Sequence, residues 1–387
     1  MFKLFLVAAA LAACGGTRAA TVVDVSGAGA AKRSVSVEVE GPGAFADSLR
    51  RNLDLSGCFR LVKGGGSIRV TGRVGGEIVA QGGSRRMSLA SRAADAKAAR
   101  MEARRLADGI CETFAGAKGF ASDRIAFVSR KGASVAELCA CYPDGYDIVQ
   151  LTRDGKSVVG PRWKDRSTLF YTGIFGSGPQ IYEQSADTGA RRLKWNFKGL
   201  STGATVSPDG RHVAIILSMH GNPDLYVIDM AANTWRRLTD TKKASEGEPS
   251  WSPDGKKIVY VSDEARTPQL YVIDVETKRT RRLTAKGSQN VDPDWGADGR
   301  IAYVTKRGGL NQIAVLDPAD GDRSAALVTT PGSWERPSWS RDGRHLVASR
   351  DKALFIVDTV PATAGGDQPK QLFLNAGNWI TPCWSNK

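Results

Sequence analysis

The chain has 387 residues, of which 41% are hydrophobic, and its formal net charge is +14. This length allows two domains, each with its own core. The positive charge does not indicate a nucleic-acid-binding protein, because neither a basic stripe nor an RNA-binding aromatic motif accompanies it.

Residues 1–20 have the pattern of a secretory signal peptide. An early lysine precedes an apolar run from Leu4 to Ala13, which is too short to span a bilayer. Two processing sites remain open. A lipobox-like Leu11-Ala12-Ala13 would leave Cys14 with a lipid anchor, whereas Thr17-Arg18-Ala19 suits ordinary signal peptidase. Either site predicts a protein exported to the periplasm and at most peripheral to a membrane, with residues 21–33 as a flexible tail.

Residues 34–115 predict a small α/β domain. Apolar residues at helical spacing indicate helices from Phe45 to Leu55 and from Ala93 to Phe114. Alternating segments indicate strands at Ser34 to Glu40, Phe59 to Val62, Ser67 to Val74, Glu77 to Ala80 and Arg86 to Ala90. Residues 116–122 form a linker to the second domain.

Residues 123–387 contain a repeat of about 44 residues. The copy at Trp251 reads Trp-Ser-Pro-Asp-Gly, in which proline and glycine specify a tight turn between two short strands. Four antiparallel strands in a repeat of this size predict one blade of a β-propeller. The aligned column is Trp163, Val206, Trp251, Trp295, Trp339 and Trp384.

The two ends of this region predict how the ring closes. Three strands between Asp123 and Thr152 have no inner strand before them, whereas Ile380 to Ser385 matches the inner-strand column and has nothing after it. The C-terminal strand is therefore expected to complete the first blade. The predicted fold is mainly β, a six-bladed β-propeller closed by the C-terminal strand and preceded by the small α/β domain.

The cysteines and histidines predict neither a metal site nor a cofactor site. Cys139 and Cys141 fall at third-strand positions and are expected to be buried apolar residues. Cys58 and Cys111 could form a bridge in an exported protein, but the sequence leaves the connectivity open. His212 and His345 share one column three blades apart and are expected to be strand-entry residues.

The chain resembles the TolB family, periplasmic components of the Tol-Pal system of Gram-negative bacteria. The resemblance rests on Ser48 to Leu53, Leu55 to Val62, Asp123 to Val128 and Asp144 to Asp147, together with the tryptophan repeats. It implies a monomeric protein-binding scaffold without a cofactor, which acts in envelope integrity, outer-membrane constriction at division and protein import. The implied partners are the peptidoglycan-associated lipoprotein Pal at the propeller mouth and TolA at the N-terminal tail.

The expected partner-binding residues lie where each inner strand begins. Two residues before the tryptophan column, five of the six repeats have a proline, and we call this position the proline column. The residue directly before it in each repeat is expected to belong to a mixed polar ring around the central channel. Glu248 and Asp292 are expected to meet a partner's hydrogen-bond donors, and Arg336 to accept a carboxylate. The resemblance places Pal contacts at Gly203, Gly247 and Glu248. The predicted partner-binding residues are Gly160, Gly203, Gly247, Glu248, Asp292, Arg336 and Thr381.

A secreted propeller hydrolase, or a peptidase accessory protein with an unknown ligand, is the alternative function. Peptidases with similar repeats need an α/β-hydrolase domain with a Gly-x-Ser-x-Gly elbow, which the sequence lacks. The sequence therefore predicts a binding protein without catalytic residues.

Overall fold

The computed structural model describes residues 32–132, 134–176, 178–360, 366–373 and 377–385. The predicted signal peptide, Cys14 and residues 21–31 of the predicted tail lie outside these ranges.

The front of the chain is a five-stranded sheet covered by two helices. The sheet order is β2-β1-β3-β4-β5, with β1 parallel to both of its neighbours. The helices are α1 (Gly43–Leu55) and α2 (Ala96–Ile110), and a single π-helical turn at Cys111–Ala115 extends α2. The strands are β1 (Arg33–Glu40), β2 (Phe59–Val62), β3 (Ile68–Arg73), β4 (Glu77–Gly82) and β5 (Arg85–Ala90).

Both helices pack on one face of this sheet. Phe45 and Leu49 of α1, Leu106 of α2, and Val35 and Val70 of the sheet are almost completely buried in one cluster. The apolar stripe of each helix accounts for this packing on one face.

The rest of the described chain forms six sets of four antiparallel strands. Each blade has one inner strand, which lines the channel, and three further strands that follow it outward. Blade 1 is β29 (Trp379–Trp384), β6 (Ile125–Lys131), β7 (Val135–Cys141) and β8 (Val149–Gln150). Blade 2 is β9 (Ser157–Trp163), β10 (Thr168–Ile174), β11 (Pro179–Ser185) and β12 (Arg191–Trp195). Blade 3 is β13 (Ser201–Val206), β14 (His212–Leu217), β15 (Asp224–Asp229) and β16 (Thr234–Arg237). Blade 4 is β17 (Glu246–Trp251), β18 (Lys257–Ser262), β19 (Gln269–Asp274) and β20 (Thr280–Arg282). Blade 5 is β21 (Gln289–Trp295), β22 (Ile301–Arg307), β23 (Leu310–Leu316) and β24 (Ala326–Leu327). Blade 6 is β25 (Glu335–Trp339), β26 (His345–Arg350), β27 (Ala353–Asp358) and β28 (Lys370–Gln371).

Blades 1 and 2 are joined into one eight-stranded sheet, so that the six blades form five sheets. The join is a single parallel pairing of Ala136 on β7 with Ser157 on β9. The ring closes through β29, which pairs with β6 from Trp379 opposite Ser129 to Trp384 opposite Ile125. The C-terminal strand therefore completes the first blade, as expected.

The tryptophans of the repeat column lie between blades. All five have at most 9% of their surface exposed. The indole N–H of Trp251 donates to the backbone oxygen of Thr205 on blade 3 at 3.0 Å, and that of Trp339 donates to Asp294 on blade 5 at 3.1 Å. Each of these two side chains thus packs and hydrogen-bonds across a blade boundary.

The front helices rest on the ends of blades 1 and 6. The guanidinium of Arg104 on α2 contacts both carboxylate oxygens of Asp144 at 2.9 Å, and both side chains are fully buried. Arg341 of blade 6 approaches Asp108 at 3.4 Å, and Lys370 approaches Asp54 at 2.9 Å. Arg341 lies in a turn that follows an inner strand, Asp144 in a turn that precedes an outer strand, and Lys370 at the start of an outer strand.

The start of every inner strand therefore lies on the opposite face of the propeller. Neighbouring strands in a blade are antiparallel, so the turn after an inner strand and the loop before it lie at opposite ends. The α/β region covers part of one face, and the predicted partner-binding residues lie on the other.

The described cysteines are all free thiols. Cys139 and Cys141 are buried in the core, as expected for third-strand positions. Cys58 and Cys111 are not bridged, but their side chains are in hydrogen-bonding contact. His212 and His345 begin β14 and β26, which confirms the strand-entry prediction.

Candidate functional site

Every inner strand carries a β-bulge at the same position. The ladder between the inner strand and its neighbour shifts register there in all six blades. The residue before each proline column has a positive φ, between 47° and 69°. These residues are Gly160, Gly203, Glu248, Asp292, Arg336 and Thr381. Gly247 comes directly before one of them.

Four of these six residues are not glycine, so the chain holds them in a conformation that L-residues rarely adopt. Such strain costs on the order of 1–3 kcal/mol per residue and tends to occur at functional sites. The bulge turns these residues out of the regular ladder, at the mouth of the channel. Only two of the six bulges use glycine, the residue that adopts a positive φ without strain.

Glu248, Asp292 and Arg336 form one charged cluster across three successive blades. The guanidinium of Arg336 contacts Glu248 Oε1 at 2.6 Å and Asp292 Oδ1 at 2.8 Å. The carboxylates also accept backbone hydrogen bonds from the next blade. Glu248 Oε2 accepts the N–H of Asp292 at 2.6 Å, and Asp292 Oδ2 accepts the N–H of Arg336 at 3.0 Å. We call these three residues the mouth triad.

The mouth triad corrects one expectation from the sequence. Arg336 was expected to be available for a partner's carboxylate, but it already pairs with two carboxylates of its own chain. The cause is the bulge, which aims three neighbouring side chains at one another. The triad has two negative charges and one positive charge, so its net charge is negative when both carboxylates are ionised.

The side chains of the triad are partly exposed to solvent. The exposed fraction of the side chain is 23% for Glu248 and 29% for Arg336, but only 10% for Asp292. Burial raises the pKa of Glu248 to about 7, an effect that Arg336 opposes and Asp292 reinforces. Burial therefore favours the protonated form of Glu248.

The other half of the mouth is small and open. A Cβ atom at Gly160 would meet nothing within 4 Å, and one at Gly203 would first meet Pro249 at 3.1 Å. On blade 1, the hydroxyl of Thr381 is buried and makes no hydrogen bond to any residue that the structure describes. The mouth therefore combines a charged arc on blades 4–6 with uncharged residues on blades 1–3.

A second layer of polar residues lies just below the mouth, and the sequence analysis missed it. Asp294 Oδ2 accepts the N–H of Trp339 at 2.7 Å, and Ser250 Oγ accepts the N–H of Trp295 at 3.0 Å. Burial raises the pKa of Asp294, while Arg162 acts in the opposite direction. These residues directly precede the tryptophan column, so the repeat alignment could have revealed them as channel-facing positions.

Glu335 is a further mouth residue that the sequence analysis did not select. It directly precedes Arg336 and is exposed. Burial of its carboxyl and the charge of Asp292 raise the pKa of Glu335, whereas Arg336 and Arg130 oppose the shift. Its position in blade 6 matches that of Gly247 in blade 4, so the repeat alignment could have identified it.

The described residues show no arrangement typical of a metal site. No group of three or more His, Cys, Asp or Glu residues in this part of the chain is placed to hold a metal ion. The histidines have other contacts: His345 pairs with Asp342 at 2.6 Å, and His220 Nδ1 lies 2.9 Å from the Tyr226 hydroxyl. As for membranes, neither α1 nor α2, the α-helices of the described ranges, is long and apolar enough to span a bilayer.

Comparisons with known proteins point to one family. A family model described as the TolB beta propeller domain matches residues 111–387. The Tol-Pal system protein TolB of Gluconobacter oxydans is 27% identical over 143 residues, which cover 36% of this chain and 32% of that protein. The protein of the same name from Desulfosudis oleivorans is 32% identical over 137 residues, covering 35% and 31%. These matches span about a third of each curated relative.

A solved structure extends the likeness in fold to nearly the whole chain. The crystal structure of TolB from Acinetobacter baumannii superimposes with a TM-score of 0.79 at 24% sequence identity. The superposition covers 92% of this chain and 97% of that one. The covered part of this chain is longer than the propeller of residues 123–387, so the superposition also includes much of the α/β region.

Proposed function

The chain belongs to the TolB β-propeller family, and we propose that it is a periplasmic scaffold of a Tol-Pal-type system. In this proposal the propeller mouth holds a Pal-like peptidoglycan-associated lipoprotein. The N-terminal tail, outside the described residues, links that complex to a TolA-like protein. The role is non-enzymatic and supports envelope integrity and outer-membrane constriction at division. The proposed functional units are the α/β region of residues 34–115 and the propeller of residues 123–387.

The observation that carries the proposal is the strained, charged and partly exposed mouth. Glu248, Asp292, Arg336 and Thr381 occupy a backbone conformation that favours glycine, and the fold tolerates that cost on four of six blades. A rigid propeller can sustain such strain, and fixed charges at a channel mouth give a partner both orientation and specificity. The mouth is also on the face that the α/β region leaves open.

In this proposal a loop of the partner inserts at the mouth. The backbone at Gly160 leaves room for such a loop, because a Cβ atom there would meet nothing within 4 Å. Glu248 and Arg336 then meet the rim of the same loop. A partner with donor groups facing Glu248 matches the net negative charge of the triad.

Calorimetry with the purified Pal-like periplasmic domain of the same bacterium tests this proposal. Glu248→Lys is expected to weaken binding by about 1–3 kcal/mol, because it reverses a partly desolvated contact and repels Arg336. The matched control is Glu276→Lys, an exposed position on the same blade at the opposite face. The control is expected to bind as the wild type does.

A second variant separates binding from stability. Thr381→Val keeps the branched shape and removes a hydroxyl that makes no hydrogen bond to the described residues. We expect an unchanged or slightly raised melting temperature, because the buried hydroxyl has no hydrogen bond to lose, and wild-type binding, because a partner does not reach it. Wild-type affinity in Glu248→Lys would remove the mouth triad from the partner site. Turnover in a panel of peptidase, esterase and glycosidase substrates would instead favour the hydrolase alternative.

A further inference from the structure

Two cysteines end the two front helices side by side. Cys58 follows Gly57, which has a φ of 63° just after α1, and Cys111 caps the C-terminal end of α2. Cys111 belongs to the core cluster between sheet and helices, and Cys58 packs against that cluster. Their thiols share a hydrogen bond, and the Ser56 side chain interacts with both. The helix ends thus hold two thiols in contact, although 53 positions separate them in the sequence.

The surroundings of the two thiols differ. Cys58 is half-buried, while Cys111 is buried. The hydrogen bond from Cys111 and the charges of Arg344 and His345 on blade 6 lower the pKa of Cys58 to about 6, against the effect of burial. The pKa of Cys111 is raised by the same hydrogen bond and by burial. Cys58 is the more exposed of the two thiols and is therefore the one that a donor disulfide reaches first, and Cys111 is placed to react second.

We propose that Cys58 and Cys111 form an intramolecular disulfide when the chain meets a disulfide-donating protein or small molecule in an oxidising compartment. The Cys58 thiolate attacks the donor disulfide and forms a mixed disulfide, releasing one donor sulfur as a thiolate. Cys111 then gives up its proton and attacks the Cys58 sulfur, which releases the second donor sulfur. Two electrons pass to the donor, and the two protons end on its thiols.

The bridge would fix the place where the front helices meet the propeller. The backbone at Gly57 is so close to blade 6 that a Cβ atom there would lie 2.9 Å from Arg344 Nη2 and 3.2 Å from an Asp358 oxygen. Arg344 pairs with Asp358 at 2.6 Å. A bridge between Cys58 and Cys111 would link this contact to the end of α2. It would also stabilise the folded state, because closing a large loop lowers the conformational entropy of the unfolded chain.

Counting free thiols in the full-length chain tests the inference. The chain, purified after export or after incubation with oxidised glutathione, is denatured and alkylated with and without prior reduction. Five cysteines lie in the described residues. A bridge leaves three of these five reactive without reductant and all five with it, and mass spectrometry then finds a peptide linking Cys58 to Cys111. Alkylation of all five without reductant, or a different linked pair, would overturn the inference.

Thermal melts of matched variants provide a second readout. Reductant is expected to lower the melting temperature of the wild type by several degrees, and to have no effect on Cys58→Ser or on Cys111→Ala. Cys139→Ser is the control, because that cysteine is buried in blade 1 and lies apart from the pair. It should keep the reductant-dependent shift. An equal shift in Cys58→Ser and in the wild type would contradict a stabilising bridge.

Discussion

The two carboxylate oxygens of Glu248 have different roles. Oε2 accepts the backbone N–H of Asp292 and so links blade 4 to blade 5, while Oε1 pairs with the partly exposed guanidinium of Arg336. The first contact supports the ring, and the second faces the solvent at the mouth. A substitution at Glu248 therefore affects both stability and binding, and the two effects must be measured separately.

Stability should depend on pH through Glu248. The pKa of this carboxyl is about 7 in the folded protein and about 4.3 in an unfolded chain. The folded state holds the proton more tightly, so this group makes the unfolding free energy fall as pH rises from about 5 to about 7. In Glu248→Gln that contribution disappears.

Melts of both proteins between pH 5 and pH 8 measure this effect. The wild type should lose more stability over that range than Glu248→Gln, since all other titrating groups are common to both. Glu276→Gln, at the opposite face, should retain the wild-type dependence. Parallel curves for the wild type and Glu248→Gln would mean that Glu248 is ionised throughout the range.

The tryptophan column has a packing role that is distinct from the mouth. Trp251 is 6% exposed and donates to blade 3, whereas Trp235 lies on the outer strand with 51% of its surface exposed. Trp251→Ala should lower the unfolding free energy by about 3–5 kcal/mol, because it leaves a cavity between two blades. Trp235→Ala is the matched control and should change it by less than about 1 kcal/mol. Chemical denaturation measures both.

At the scale of elements, α2 shows what the sequence pattern could and could not reveal. The apolar stripe predicted the helix, but its start at Ala93 was wrong by three residues. Asp95 caps the first turn by accepting the N–H of Ala98 at 2.7 Å, so the regular helix begins at Ala96. The predicted C-terminal end at Phe114 lies within one residue of the observed end, because the π-helical turn continues to Ala115.

The buried arginine of α2 could not be anticipated from its helix alone. Arg104 lies in a run of charged and small residues, which is typical of a solvated face. Only the folded chain brings Asp144 to it, from a turn of blade 1 that is 40 residues away. Arg104 also lies 3.8 Å above the ring of Tyr142. Long-range pairs of this kind require the arrangement of two regions, which no local pattern encodes.

Arg104→Ala should destabilise the protein strongly. It leaves Asp144 buried without its guanidinium partner, and removing one member of a buried pair typically costs about 3–5 kcal/mol. Arg105→Ala changes the next residue of the same helix, which is exposed, and should cost less than about 0.5 kcal/mol. Equal melting temperatures for the two variants would contradict the importance of the pair.

At the scale of the whole molecule, the repeat spacing predicted the architecture because each blade buries its faces against its neighbours. This burial requires the tryptophan column and third strands that are apolar on both faces. Both features can be read directly from the sequence. The mouth was harder to predict. Its positions follow from the proline column, but the mutual pairing of Glu248, Asp292 and Arg336 depends on bulges that residue types do not signal. Gly160 and Gly203 in the same column were the only hint of a positive φ.

Ring closure predicts that the last strand is essential. Deleting residues 380–387 removes most of β29 and exposes the edge of β6, along with the core around Cys383 and Trp384. We expect a large fall in melting temperature and a tendency to aggregate. Deleting only Asn386 and Lys387 leaves β29 intact and is the control. A longer deletion that melts like the full chain would contradict closure by β29.

The central claim is that the mouth face, opposite the α/β region, is where a Pal-like partner binds. Amide hydrogen exchange of the full-length chain with and without the Pal-like domain tests this claim most directly. The account predicts new protection at the bulges around Gly203, Glu248, Asp292, Arg336 and Thr381, and none at the turns after the inner strands, such as the one at Asp254. Protection centred on those turns or on α1 and α2, with the bulges unchanged, would contradict it.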